Sequence, residues 1–270
     1  MVSLPGTTTY ITGATAAALQ SVSEQNNEGV SLYNQGRFAE AIHVFKDATS
    51  ASKNYLSRPM DVERATSVEL SSSLQVLPSR TALTSDIDSL IDHSTVYLNP
   101  FEAVVTSGGL QIMEDLTVAN CQHRLLFSRL STILIFNMAL THHAIAMMFS
   151  EDKDSTSKRE FLSKARHLYN LAYSIPQGEQ EQEIIDESML PLFVKAILNN
   201  LGHCFSSLGD INKSNACYEL LLQSIILFQQ DHIQCRNLGE SKECFPHHTA
   251  CFWNNTIFLI LKDPGLAPAA

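Results

Sequence analysis

The chain has 270 residues, enough for one large domain or two small ones with a buried core. Apolar residues make up 44% and charged residues 17%, a globular composition rather low in charge. The net charge of -10 argues against nucleic acid and anionic membrane as partners, since both reward clustered Lys and Arg.

The first twenty residues, MVSLPGTTTYITGATAAALQ, carry no charge, and the first basic residue is Arg37. Without a basic n-region or Arg-rich stretch they read as a loose leader over 1–20, not as a targeting segment. A cytoplasmic location is expected, with the nucleus as the alternative. From Val22 the apolar spacing becomes helical. Gly36 divides two helical patterns, and Phe38, Ala41, Ile42 and Phe45 recur at i, i+3, i+4, i+7 on one face of the second. This predicts a helical hairpin over about 22–54 with Gly36 at the bend.

Residues 55–115 are Ser-rich and weakly patterned, with strand signals around Ser94–Val105 ahead of Gly108-Gly109. They read as an insertion, part loop and part small β-hairpin. The most apolar run follows, Leu125 to Phe149. Arg129, Asn137, His142 and His143 interrupt it, so it is expected to be a buried helix, not a membrane span. With Leu162, Ala165, Tyr169 and Ala172 it predicts a second hairpin over 117–175, its bend lengthened by a polar loop. The acidic stretch from Gly178 to Met189 reads as a solvated linker.

The segment NNLGHCFSSLGDINKSNACYELLL predicts a third hairpin over 190–230 and settles the organisation. Asn200, Gly202, Phe205, Gly209, Ile211, Ser214, Tyr218 and Leu221 match Asn27, Gly29, Leu32, Gly36, Phe38, Ala41, Phe45 and Ala48 at one constant offset. Pro246 and Asp263-Pro264-Gly265 bracket a last helix over 246–262. Its Ala250, Trp253, Ile257 and Ile260 share a face, expected to cap the third hairpin.

These matched positions resemble the tetratricopeptide repeat family, whose unit is a pair of antiparallel helices. The overall layout, including IFNMALTHHAIA and the closing DPGLAPAA, is also similar to a set of largely uncharacterised tetratricopeptide-like proteins of unicellular algae. The resemblance implies an all-α solenoid of helical hairpins, residues 21–270, with a partly irregular insertion and a C-terminal capping helix. It also implies a non-catalytic interaction module that holds a protein or peptide partner in the concave groove lined by each first helix. Asn27, Asn137 and Asn200 take matching places there and could pair with the backbone of an extended peptide. Asn26, Tyr33, Asn34, Asn199, His143 and His203 complete the expected groove. One branch of the family grips terminal carboxylates with Lys and Arg; Asn26, Val30 and Ala196 stand at those places, so such tails are a poor fit. The alternative is a structural or homodimeric scaffold whose groove is filled by the chain's own insertion or by a second copy.

Catalytic signatures are weak, and a metal-dependent or hydrolytic enzyme is the remote reading. Cys235, Cys244, His247, His248 and Cys251 carry zinc-type donors, but no C-x-x-C pair is present and Pro246 better explains a helix start. His142 and His143 are adjacent on one helix and point in different directions. Ser206 and Ser207 near His203 lack the sharp turn and orienting acid of a nucleophile site. No catalytic residue, metal or cofactor is expected.

Overall fold

The computed structural model describes residues 9–11, 13–57, 69–79, 95–111, 116–149, 155–175, 190–237 and 250–262. In chain order the elements are β1 (Thr9–Ile11), α1 (Gly13–Asn34), α2 (Phe38–Leu56), β2 (Glu69–Pro78) and β3 (Phe101–Gln111). They are followed by α3 (Leu116–Met148), α4 (Ser155–Ser174), α5 (Leu190–Ser207), α6 (Ile211–Asn237) and α7 (Ala250–Lys262). Consecutive helices pack in pairs, α1 on α2, α3 on α4 and α5 on α6. Contacts of α2 with α3 and of α4 with α5 stack the pairs into an all-α tetratricopeptide-like helical repeat.

The repeated residues do matching work at both ends of the stack. Gly36 and Gly209 have φ of 75° and 89°, a left-handed conformation that costs glycine little. Arg37 N–H donates to Leu32 O and Asp210 N–H to Phe205 O, both at 2.9 Å, closing the same helix-ending turn. Phe45 and Tyr218 lie over Gly29 and Gly202 of the facing helix. A Cβ added at Gly202 would stand 2.5 Å from Tyr218 Cε1, and one at Gly29 would crowd Phe45 as severely. Close approach of each helix pair therefore requires both the ring and the missing side chain. In the middle pair Ala139 and Tyr169 are fully buried.

Two expectations change at the ends. Helix α1 starts at Gly13, so the expected leader over 1–20 is partly helical, and Leu19 is buried in the core. An Ala-rich uncharged run has high helix propensity and a small footprint, which lets it pack once a neighbour is present. Helix α7 presents a different face from the one its apolar spacing suggests. Cys251, Phe252, Asn255 and Thr256 are buried, whereas Trp253 and Ile257 are 36% and 54% exposed. The side chain of Ile260 lies outside the described residues, as do 176–189 with the whole acidic stretch.

The long apolar helix α3 includes a 25-residue stretch, Arg124–Met148, long and apolar enough to cross a membrane; its 18-residue window of mean hydropathy 1.4 is 78% buried inside the protein. It is the central helix of the stack, touching α2, α4 and α1.

The insertion supplies β2 and β3, and with β1 from the N-terminal segment they form an antiparallel sheet in the order β1-β2-β3. Strands β2 and β3 run in register from Glu69↔Gln111 to Pro78↔Phe101, with an irregularity between Leu70 and Ser72. Ahead of β3, Thr95–Pro100 runs without regular secondary structure into the strand. This segment is core: Tyr97 is 1% exposed, and Phe101 and Ala103 are fully covered.

Candidate functional site

The first helices α1, α3 and α5 line one side of the stack, and Thr95–Ala103 runs across all three. The segment is fixed through its backbone. Asn200 on α5 accepts from Tyr97 N–H at 2.8 Å and donates to Tyr97 O at 2.8 Å. Asn137 on α3 does the same to Phe101, at 2.9 Å and 2.8 Å. Asn27 on α1 repeats it at Ala103, at 2.9 Å and 2.7 Å. Each amide offers one acceptor and one donor, so it pairs with a residue's N–H and C=O as a neighbouring strand would. The segment therefore passes the third hairpin first and the first hairpin last.

Strand geometry explains the spacing at one end. In extended chain a residue's N–H and C=O leave on one edge and those of the next residue on the other. Phe101 and Ala103 turn one edge of β3 to the asparagines, while the opposite edge continues along β2. Two helix side chains thus cap a sheet edge that would otherwise be open.

Neighbouring polar groups complete the arrangement. Asn26 donates to Phe101 O at 3.0 Å and accepts from Asn137 at 2.9 Å. Tyr33 donates to Leu98 O at 3.1 Å, and Ser23 to Ala103 O at 2.6 Å. Asn199 and Asn255 both donate to Thr95 O, at 3.1 Å and 2.6 Å, and Asn255 also donates to Asn199 at 2.8 Å. Asn34 reaches the end of β2 and donates to Ser79 Oγ at 3.2 Å, while Ser79 N–H donates to Pro100 O at 2.7 Å.

The segment's side chains fill the space beneath. Phe101 packs edge-on against Phe136 and Phe193, each at 5.2 Å between ring centres. Tyr97 stacks on Phe101 at 5.9 Å and on Phe252 of α7 at 5.6 Å. Burying such rings contributes roughly 1.5–3 kcal/mol apiece, before the entropy of ordering the chain.

Below Asn200 the buried His143 meets the partly buried His203. Asn200 also donates to Tyr169 Oη at 3.0 Å; Tyr169 Oη stands 3.4 Å from His143 Nδ1; and His143 Nε2 stands 3.0 Å from His203 Nδ1. Cys204 Sγ is 3.8 Å from His143 Nδ1. His142 faces the other way, its ring 5.7 Å from Phe161.

Titratable groups around the segment are pushed toward their neutral forms. Burial raises the pKa of Tyr33, Tyr97 and Cys204, and raises that of Tyr169 with help from Cys204. Burial and then the adjacent His203 hold His143 well below the ordinary histidine range, and burial brings Lys195 down to about 8. Backbone buried among such groups is tolerated because its own polar atoms are paired.

All nine groove residues expected from the sequence come together here. Seven of them hold the backbone of 95–103 or the adjoining Ser79, while His143 and His203 lie underneath. The backbone is the chain's own, because a tethered segment competes at an effective concentration far above that of a free peptide. Sequence reasoning missed Asn255, although Asn254-Asn255 repeats the doublets Asn26-Asn27 and Asn199-Asn200. It also missed Ser23 and Tyr169 as polar partners. Of the zinc-type donors, Cys251 is buried with its thiol pushed up to about 12, and Cys244, His247 and His248 lie outside the described residues. No group of three metal-ligating side chains is present among the described residues.

Among known families, the model described as tetratricopeptide repeat matches residues 196–224, which fall on α5 and α6 of the third hairpin. No curated protein and no solved structure matches the chain. The match covers the hairpin whose glycine, aromatic and asparagine positions recur in the first, so the repeat signature and the packing identify the same unit: a tetratricopeptide-like hairpin.

Proposed function

We propose that the chain is a non-catalytic protein-interaction scaffold of tetratricopeptide type that carries its own groove ligand. One observation carries this reading: three asparagines at matching places each hold both backbone groups of one residue in Thr95–Ala103. A groove filled this way is part of the protein's core, so a partner protein meets the outer helices or the rim of the stack. The repeat match at 196–224 supports an interaction role.

The test replaces residues 95–103 by a Gly/Ser segment of equal length. The scaffold reading expects loss of the cooperative thermal transition. It also expects no binding of a synthetic STVYLNPFEAVV peptide to the intact protein by fluorescence anisotropy. A variant that stays folded and now binds that peptide would instead make the groove a site for external peptides.

A further inference from the structure

Helix α7 repeats the first helix of a hairpin, and no second helix follows it among the described residues. It packs on α5 and α6, as α3 packs on α1 and α2. Its Asn255 donates to Thr95 O at 2.6 Å, extending the row of amides that hold Ala103, Phe101 and Tyr97 from α1, α3 and α5. Aligning Asn254-Asn255 with Asn26-Asn27 and Asn199-Asn200 sets Ile257 level with Gly29 and Gly202, and with Ala139 two residues after Asn137. In the three complete hairpins that position is closed. Phe45 of α2 covers Gly29, Tyr218 of α6 covers Gly202, and Ala139 is fully buried. In α7 it is 54% exposed.

The open face is apolar, where the end unit of a helical stack ordinarily turns polar groups outward. Trp253 stands level with the buried Ile135 and Leu198, yet is 36% exposed. From Ala250 to Leu261 the helix carries no charge, so in a chain of net charge -10 nothing on it repels a like copy. The residue at the crossing also sets what fits against it. Glycine lets a second helix come close, whereas the branched Ile257 holds one off and leaves a gap that a large ring fills. An antiparallel copy of α7, with a two-fold axis level with residue 255, lays each Trp253 indole over the other copy's Ile257. We propose that two copies of the chain pair through α7, each supplying the second helix that the other's fourth hairpin lacks. The pairing rests on the scaffold reading, for which it names a partner at the rim, and it leaves the groove strip untouched.

One helix face per copy lies at the small end of specific interfaces, so the dimer should be reversible. Sedimentation equilibrium of the full chain across the micromolar range should carry the mass from 29.9 kDa toward twice that value. Trp253 is the single tryptophan, so its fluorescence reads the interface and should shift to the blue along the same concentration series. Ile257→Glu puts a charge on an exposed site; it should keep the helical circular dichroism, stay at the monomer mass and lose the shift. Trp253→Ser, read by mass alone, should also stay monomeric. Leu171→Glu alters an apolar residue on α4 that is 41% exposed, and should still dimerise. A native chain that stays monomeric throughout, an α7 variant that still pairs, or loss of pairing in Leu171→Glu overturns the proposal. Peptide binding tests the groove and mass tests the pairing, so each can fail alone.

Discussion

Replacing Asn137 by Ala tests the backbone ladder at its centre. The amide makes three bonds, to Phe101 N–H at 2.9 Å, Phe101 O at 2.8 Å and Asn26 Oδ1 at 2.9 Å. Phe101 O keeps a second donor in Asn26 at 3.0 Å. The truncation therefore orphans two buried groups, Phe101 N–H and Asn26 Oδ1. Each buried orphan costs about 1–3 kcal/mol, so the loss is about 2–6 kcal/mol. The same count for Asn27→Ala gives a smaller loss: Ser23 still donates to Ala103 O at 2.6 Å, Asn26 Nδ2 loses Asn27 Oδ1 but keeps Phe101 O, and only Ala103 N–H is left with no partner. Urea unfolding followed by circular dichroism measures both, read as midpoint shifts at constant slope. A loss below about 1 kcal/mol for Asn137→Ala, or one smaller than for Asn27→Ala, would refute the premise that these amides hold the segment.

Two further substitutions distinguish crowding from backbone conformation. Gly202→Ala forces Tyr218 to move and should cost about 1–3 kcal/mol by overpacking. Gly209→Ala meets no atom within 4 Å, so it should cost only the left-handed backbone, about 1–2 kcal/mol; equal thermal shifts with Tyr218→Leu added to each would argue against this division. His142 sets a separate pH dependence. Burial first, then Lys164 and Lys46, lower its pKa to about 4 from the ordinary 6.5. The unfolded chain thus binds this proton more readily, so the stability it contributes is complete above pH 6.5 and declines as pH falls toward 4. In His142→Gln the thermal midpoint should fall less between pH 7 and pH 4.5, and an unchanged slope would count against the burial argument.

The hairpins were legible because their requirements are local. A glycine at a tight bend and a ring over a glycine recur at one offset, and chance rarely repeats eight positions in register. The asparagine ladder was legible for the same reason, since Asn27, Asn137 and Asn200 follow from the position of each first helix. Its occupant was not. Val96 to Pro100 has neither the period of a helix nor that of a strand, and its burial depends on α1, α3, α5 and α7 together. The packed face of α7 was misread because Asn255 and Thr256 are polar by any hydropathy count. They are buried where Asn255 meets Thr95 and Thr256 Oγ1 donates to Phe252 O at 2.9 Å. Side-chain amides that satisfy backbone groups look like surface in a sequence and belong to the interior.

In an ordinary helical array each unit touches only its neighbours, so stability is a sum of short-range terms and the ends can fray independently. The strip from Thr95 to Ala103 binds the first, second and third hairpins at once. It adds a long-range term between the two ends of the stack. Fraying of α5 or α1 then strips the strip of an anchor and weakens the other end too. Folding gains cooperativity, and it slows, because hairpins far apart in sequence must both be in place before the strip can be fixed. The protein should melt as one body where a plain array of the same helices would unzip.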